Sequence, residues 1–98
     1  MFYVYVLRSE KDGKFYTGFT SNLRERLKLH NSAKVISTKF RGELKLIYFE
    51  SCLNEIDAVR REKYLKSGTG KKFLKYRLKF WLKELKGSGP NELSAFNK

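Results

Sequence analysis

Apolar and aromatic residues open the chain as an unbroken run, Phe2-Tyr3-Val4-Tyr5-Val6-Leu7, which stops at Glu10-Lys11-Asp12-Gly13-Lys14. Asp12-Gly13 is a strong turn dipeptide, and Phe15-Tyr16-Thr17-Gly18-Phe19 then resumes the strand character, so the pair predicts a β-hairpin. Ser21 or Asn22 next offers a helix cap. Leu23 and Leu27 follow at four-residue spacing, with Glu25 early and His30 late in the sense that suits the helix dipole, which predicts a short helix over Leu23 to Asn31. A polar, basic connection occupies 32–42 before Leu44 to Ser51, whose density of aliphatic and aromatic residues predicts a third strand, and a buried one.

From Asn54 the period becomes helical. Ile56, Val59 and Tyr64 lie near one edge, and Ala58, Glu62 and Leu65 fall at i, i+4 and i+7. Ser67-Gly68-Thr69-Gly70 reads as a break, and a last helix over 71–86 shows Leu74, Leu78, Trp81 and Leu85 as its stripe. Gly87-Ser88-Gly89-Pro90 ends that helix, leaving 87–98 as an expected flexible tail. The order β-β-α-β-α-α predicts an α+β fold, a small three-stranded antiparallel sheet flanked by helices, with one domain over 1–86.

With 98 residues, 41% of them hydrophobic, the chain suffices for one core and not for two. Twenty-two Lys and Arg against 10 Asp and Glu give a formal charge of +12, which opposes compaction and attracts polyanions, a phosphate backbone foremost. A membrane is not the expected partner, since no apolar run approaches the roughly 20 residues needed to span one, and Met1 to Arg8 reads as a strand rather than a secretory leader. Cys52 is the single cysteine, which excludes an internal disulfide and a thiolate cage and fits a reducing cytoplasm; its surroundings suggest a small core residue.

Three groups of residues carry candidate chemistry. Tyr5 and Tyr16 sit mid-strand in the hairpin, with Gly18 two residues past Tyr16, where it lets backbone or a phosphate come close; tyrosines also suit strands on propensity alone. Arg26 and His30 lie four apart on the first helix, on a face turned away from Leu23 and Leu27, although a late histidine also simply complements a dipole. Glu62 interrupts an apolar stripe, where a carboxylate must meet a cation or a metal, or else pair with Lys66 at the surface. Gly68-Thr69-Gly70-Lys71-Lys72 lacks the spacing of a phosphate-binding P-loop; its free N–H groups with Lys71 and Lys72 suit a phosphate more modestly.

Taken together, these residues resemble the GIY-YIG nuclease superfamily, in particular its small stand-alone bacterial members related to the N-terminal domain of the excision-repair incision subunit. Tyr3-Val4-Tyr5 stands where the family has Gly-Ile-Tyr, and Tyr16-Thr17-Gly18 where it has Tyr-Ile-Gly. Phe19 to Leu27 is similar to the family's second block with Arg26 at the arginine position, and Ala58-Val59-Arg60-Arg61-Glu62 to the third with Glu62 at the metal-ligand position. The chain departs from the pattern at Tyr3, in place of the first glycine, and at Phe19, where some members carry lysine.

The resemblance implies an endonuclease that hydrolyses DNA phosphodiesters in repair or recombination with one divalent ion, Mg2+ or Mn2+, held by Glu62. Arg26 would stabilise charge on the phosphate, and Tyr5 or Tyr16 would help deprotonate water, assisted by His30. Arg24, Lys34, Lys39, Arg41, Lys71 and Lys72 are the cations expected on the DNA, which is expected to be branched or structured. Two other readings compete: a nucleic-acid-binding module that cuts poorly or only with a protein partner, and an RNA- or ribosome-associated protein suggested by interleaved aromatic and basic residues.

Overall fold

In the computed structural model, residues 1–32, 35, 38–39 and 41–86 are described; Lys34 and the expected tail over 87–98 lie outside them. The elements run β1 (Phe2–Ser9), β2 (Phe15–Thr20), α1 (Leu23–Asn31), β3 (Leu44–Cys52), α2 (Glu55–Lys66), α3 (Gly68–Arg77) and α4 (Lys79–Leu85). The hairpin closes as its sequence predicts. Gly13 takes φ +75°, which favours a residue without Cβ, and its N–H bonds the Ser9 carbonyl at 2.8 Å while Asp12 Oδ1 accepts from the Lys14 N–H at 2.9 Å.

The sheet is antiparallel with order β2-β1-β3. Being central, β1 is buried on both faces, and alternation sends its side chains two ways. Val4 and Val6 join Ala58 and Leu65 of α2 and Leu74 of α3 in one core cluster. Tyr5 and Leu7 point to the opposite face, where Leu44 and the α1 residues Leu23 and Leu27 pack on them. The expectation that β3 is a buried strand needs correction: it is an edge strand paired only to β1, and Phe49 on it is 50% exposed. Tyr48 and Phe49 are consecutive and point to opposite faces, Tyr48 half-buried against the core and Phe49 exposed, a pattern that density of apolar residues alone does not distinguish from full burial.

Asn54 starts α2 by accepting from the Ile56 N–H at 2.8 Å and the Asp57 N–H at 3.3 Å. Asn54→Ala should therefore cost about 1 kcal/mol and lower the melting temperature by about 4–8 °C, read by thermal denaturation. An unchanged melting temperature would show that water replaces the cap without loss. The helix is also tied to the sheet by Arg61, whose Nε and Nη2 donate to the two Glu50 oxygens of β3 at 2.8 and 2.9 Å.

The chain after α2 differs from expectation in two ways. Only Ser67 interrupts the helices: its Oγ accepts from the Gly70 N–H at 3.1 Å, and α3 already begins at Gly68. Gly70 is a packing residue rather than a breaker, because a Cβ there would collide with the Tyr64 carbonyl and come within 2.6 Å of Leu65 Cα. The predicted last helix is also divided at Leu78, yet Leu78 N–H bonds Leu74 O at 2.9 Å and Leu82 N–H bonds Leu78 O at 3.0 Å. The two helices thus form one hydrogen-bonded run, but the expected stripe fades along it: Leu74 is buried, Leu78 and Trp81 are half-buried, and Leu85 is 44% exposed. Among the described residues, no helix is long and apolar enough to cross a membrane.

Candidate active site

The strand register places Tyr5 directly opposite Gly18, and Leu7 opposite Tyr16. Period-two alternation then puts both tyrosines on the face that α1 covers. α1 is fixed at its start by Asn22, whose side chain accepts from the Glu25 N–H at 3.1 Å, so that Arg26 and His30 fall one turn apart above the strands.

Both α1 residues meet the Tyr5 hydroxyl, which corrects the expectation that they are turned away from Leu23 and Leu27: positions 23, 26, 27 and 30 fall at i, i+3, i+4 and i+7, so all four share the face of α1 that looks onto the sheet. Arg26 Nε donates to it at 3.4 Å, His30 Nε2 lies 2.9 Å from it, and His30 Nδ1 lies 2.8 Å from Thr38 Oγ1. The proton order follows from the donor inventory. A guanidinium can only donate, so Tyr5 accepts from Arg26; the arrangement that also satisfies the phenolic proton gives it to Nε2, and Nδ1–H then donates to Thr38. Tyr5, His30 and Thr38 are 2%, 5% and 2% exposed, so this line of groups is locked rather than freely rotating. Gly18 completes the fit, because a Cβ at that position would strike the Tyr5 hydroxyl and stand 2.6 Å from Cζ.

Tyr5, Tyr16, Gly18, Arg26, His30 and Glu62 all line one pocket of about 460 Å³. The Tyr16 hydroxyl is buried there without a hydrogen-bond partner among the described residues, an expensive condition for a phenol unless water or a ligand satisfies it. Glu62 reaches the pocket from α2, around the free edge of β2. Its side chain is 16% exposed and Lys66 Nζ sits 3.2 Å from Oε2, so the inward carboxylate and the i,i+4 pair weighed as alternatives in the sequence occur together.

Burial pushes the His30 imidazole below its ordinary 6.5, and the nearby Arg26 charge pushes in the same direction. In the unfolded chain the same residue protonates near 6.5, so below that pH the unfolded state takes up a proton that the folded state refuses. Stability contributed by neutral His30 is present above 6.5 and is lost as pH falls through that value toward the depressed folded pKa. The urea midpoint should therefore decline as pH drops from about 7.5 to about 5.5, and a His30→Asn variant should lack that part of the decline. Identical pH slopes in the two proteins would assign the decline to other groups.

The candidate backbone-binding cations are scattered. Lys71 lines the pocket, while Lys72 is exposed on α3 outside its wall. Arg24 lines a separate depression with Tyr3 and Phe49. Arg41 pairs with Asp12 at 3.2 Å and stands 5.7 Å from the Tyr16 ring centroid; Lys39 is exposed beside Thr38. At the start of α3 the Gly70 and Lys71 N–H groups, expected to be free, are taken by Ser67. Thr38 was invisible to sequence reasoning because a lone threonine in a basic connection carries no periodic or spacing signal. The close approach of Gly18 to Tyr5 was legible only as a general license for something to come near.

The chain is similar to known proteins in both sequence and structure. A family model described as the GIY-YIG catalytic domain matches residues 1–77. The chain is 47% identical over 72 residues to the UPF0213 protein CPE1444 of Clostridium perfringens, covering 70% of this chain and 74% of that protein. It is 41% identical over 78 residues to a UPF0213 protein of Pediococcus acidilactici, covering 76% and 79%. Among solved structures, the solution NMR structure of the UPF0213 protein BH0048 from Bacillus halodurans matches with 35% identity and a TM-score of 0.48, over 76% of this chain and 82% of that one.

Proposed function

Because the chain belongs to the GIY-YIG catalytic domain family, a family of nucleases, and shares it with UPF0213 proteins, we propose that it is a divalent-metal-dependent DNA endonuclease acting in repair or recombination. The observation that carries this reading is the convergence of two phenols, a guanidinium, an imidazole and a lone carboxylate on one pocket of a protein with charge +12.

The residues fit a hard divalent cation such as Mg2+ or Mn2+. Glu62 offers a largely shielded carboxylate, and the Tyr16 hydroxyl in the same pocket, without a partner among the described residues, suits an ordered water. Among the described residues no three His, Cys, Asp or Glu gather into a cage, so Glu62 would hold the ion with waters and a substrate phosphate completing its shell. When bound, the ion supplies Lewis-acid stabilisation of phosphate charge and acidifies nearby water.

The protein's own groups divide the remaining work. Arg26 offers a permanent positive charge beside Tyr5, suited to the charge that builds on a phosphate under attack. A free phenol of pKa about 10 is a poor base near neutrality, ionised only about 0.1% of the time. Tyr5 evades that limit by passing its proton to neutral His30 Nε2 as it takes one from water, while Thr38 holds His30 in the accepting tautomer. Tyr16, whose hydroxyl has no partner among the described residues, orients the water. On this account Tyr5 is the base and Tyr16 its companion.

Purified protein incubated with supercoiled plasmid and with branched or flapped DNA, in magnesium, manganese or chelator, tests the proposal. Cutting that needs the metal supports it. Binding of DNA without cutting in any metal would leave the competing reading, a nucleic-acid-binding module, in its place.

A further inference from the structure

A second concavity, of about 850 Å³, runs from the first pocket along α3 and α4, and Phe15 and Lys71 line both. Seven of its ten lining residues are Lys or Arg and none is acidic. Lys71, Lys75, Lys79 and Lys83 stand at four-residue spacing on one wall, while Arg8 and Lys14 face them from the hairpin. Successive like charges at i,i+4 repel each other, so this ladder weakens the helices that carry it until a polyanion lies across it. Part of the repulsion is relieved locally, since Lys79 Nζ lies 5.0 and 5.3 Å from the Tyr76 and Phe80 ring centroids, and Arg8 has Glu10 at 3.8 Å.

We propose that this groove carries a single DNA strand into the Tyr5–Glu62 pocket, so that the substrate is a duplex from which an unpaired strand emerges. The inference rests on the nuclease reading for what happens at the end of the track. Cations on both walls of a concave groove can surround one backbone, whereas a duplex would meet only the rims. Phe15, at the junction, supplies an aromatic surface of the kind on which unpaired bases stack. This track differs from the cations singled out in the sequence, sharing only Lys71 with them.

The test is fluorescence anisotropy of labelled oligo(dT) and of a blunt duplex of equal length, in chelator, across a salt series. Wild type should bind oligo(dT) more tightly than the duplex. Lys75→Ala/Lys79→Ala should weaken oligo(dT) binding at least about tenfold at low salt and flatten the slope of log affinity against log salt by about 1.4, from two lost contacts at about 0.7 each. Lys75→Arg/Lys79→Arg should restore both quantities. The control Arg60→Ala/Lys63→Ala, equal in charge lost and lining neither concavity, should flatten the slope less.

Equal losses in the control and groove variants, or a wild-type preference for the blunt duplex, overturn the proposal. The two readings fail separately. A protein that cuts flapped DNA with its groove variants unimpaired in binding and cutting loses the track and keeps the nuclease. One that never cuts, yet loses oligo(dT) on Lys75→Ala/Lys79→Ala, keeps the track and loses the nuclease.

Discussion

Glu62→Gln is expected to bind DNA as well as the unaltered protein and to cut it on the order of 10² to 10³-fold more slowly. The substitution keeps the shape of the side chain and removes the one carboxylate that lines the pocket. Metal-supplied stabilisation of transition-state charge amounts to several kcal/mol, and each 1.36 kcal/mol is about tenfold in rate. Loss of the carboxylate also frees Lys66, now 3.2 Å away, which adds a cation where the ion should sit. Arg26→Ala should lower the rate by a similar factor of about 10² to 10³ by removing charge at the phosphate. Plasmid nicking rates in magnesium decide the matter. If either variant cuts at the unaltered rate, the pocket is not the place where the bond breaks.

Gly18→Ala should cost about 1–3 kcal/mol of stability, the usual range for forcing a methyl group into filled space. For a domain of this size each kcal/mol lowers the melting temperature by about 4–8 °C. Its Cβ would meet the Tyr5 ring, which cannot swing aside because it is 2% exposed and held by His30 and Arg26. Whatever movement relieves the collision must draw the Tyr5 hydroxyl away from His30, so nicking should fall more steeply than the folded fraction does. In a Tyr5→Ala background, which itself costs about 3–5 kcal/mol by emptying a core site, adding Gly18→Ala should cost almost nothing further, because the ring that the methyl group meets is gone. A Gly18→Ala protein with unchanged melting temperature and nicking would show that the hairpin spreads without effect.

Much of the scaffold was legible because its local signals agree with its tertiary contacts. Asp12-Gly13 needs the positive φ that only a turn supplies, and the four-residue recurrence of Leu23 and Leu27 marks the α1 face that covers Tyr5 and Leu7. Arg26 and His30, placed four apart, do meet a common atom. What sequence hid is of another kind. The start of α3 at Gly68 reverses a propensity argument, because Ser67 caps it and close packing at Gly70 rewards the absence of a side chain. Strand order decides which strand is central, and no periodicity within β3 reveals that β1 occupies that place. Thr38 reaches His30 through a connection whose course is set by the fold rather than by its own residues.

The irregularity in pairing between β1 and β3 at Val6 and Leu7 has a consequence for assembly. A slip by one position would exchange the two faces of β1, turning the phenol of Tyr5 toward α2 and a valine toward α1, and burial of both faces weighs against it. The bulge pins the alignment at the centre of the strand that both layers share. A molecule threaded one position out would lose the Tyr5 contacts with His30 and Arg26, so those hydrogen bonds report on correct alignment of the central strand.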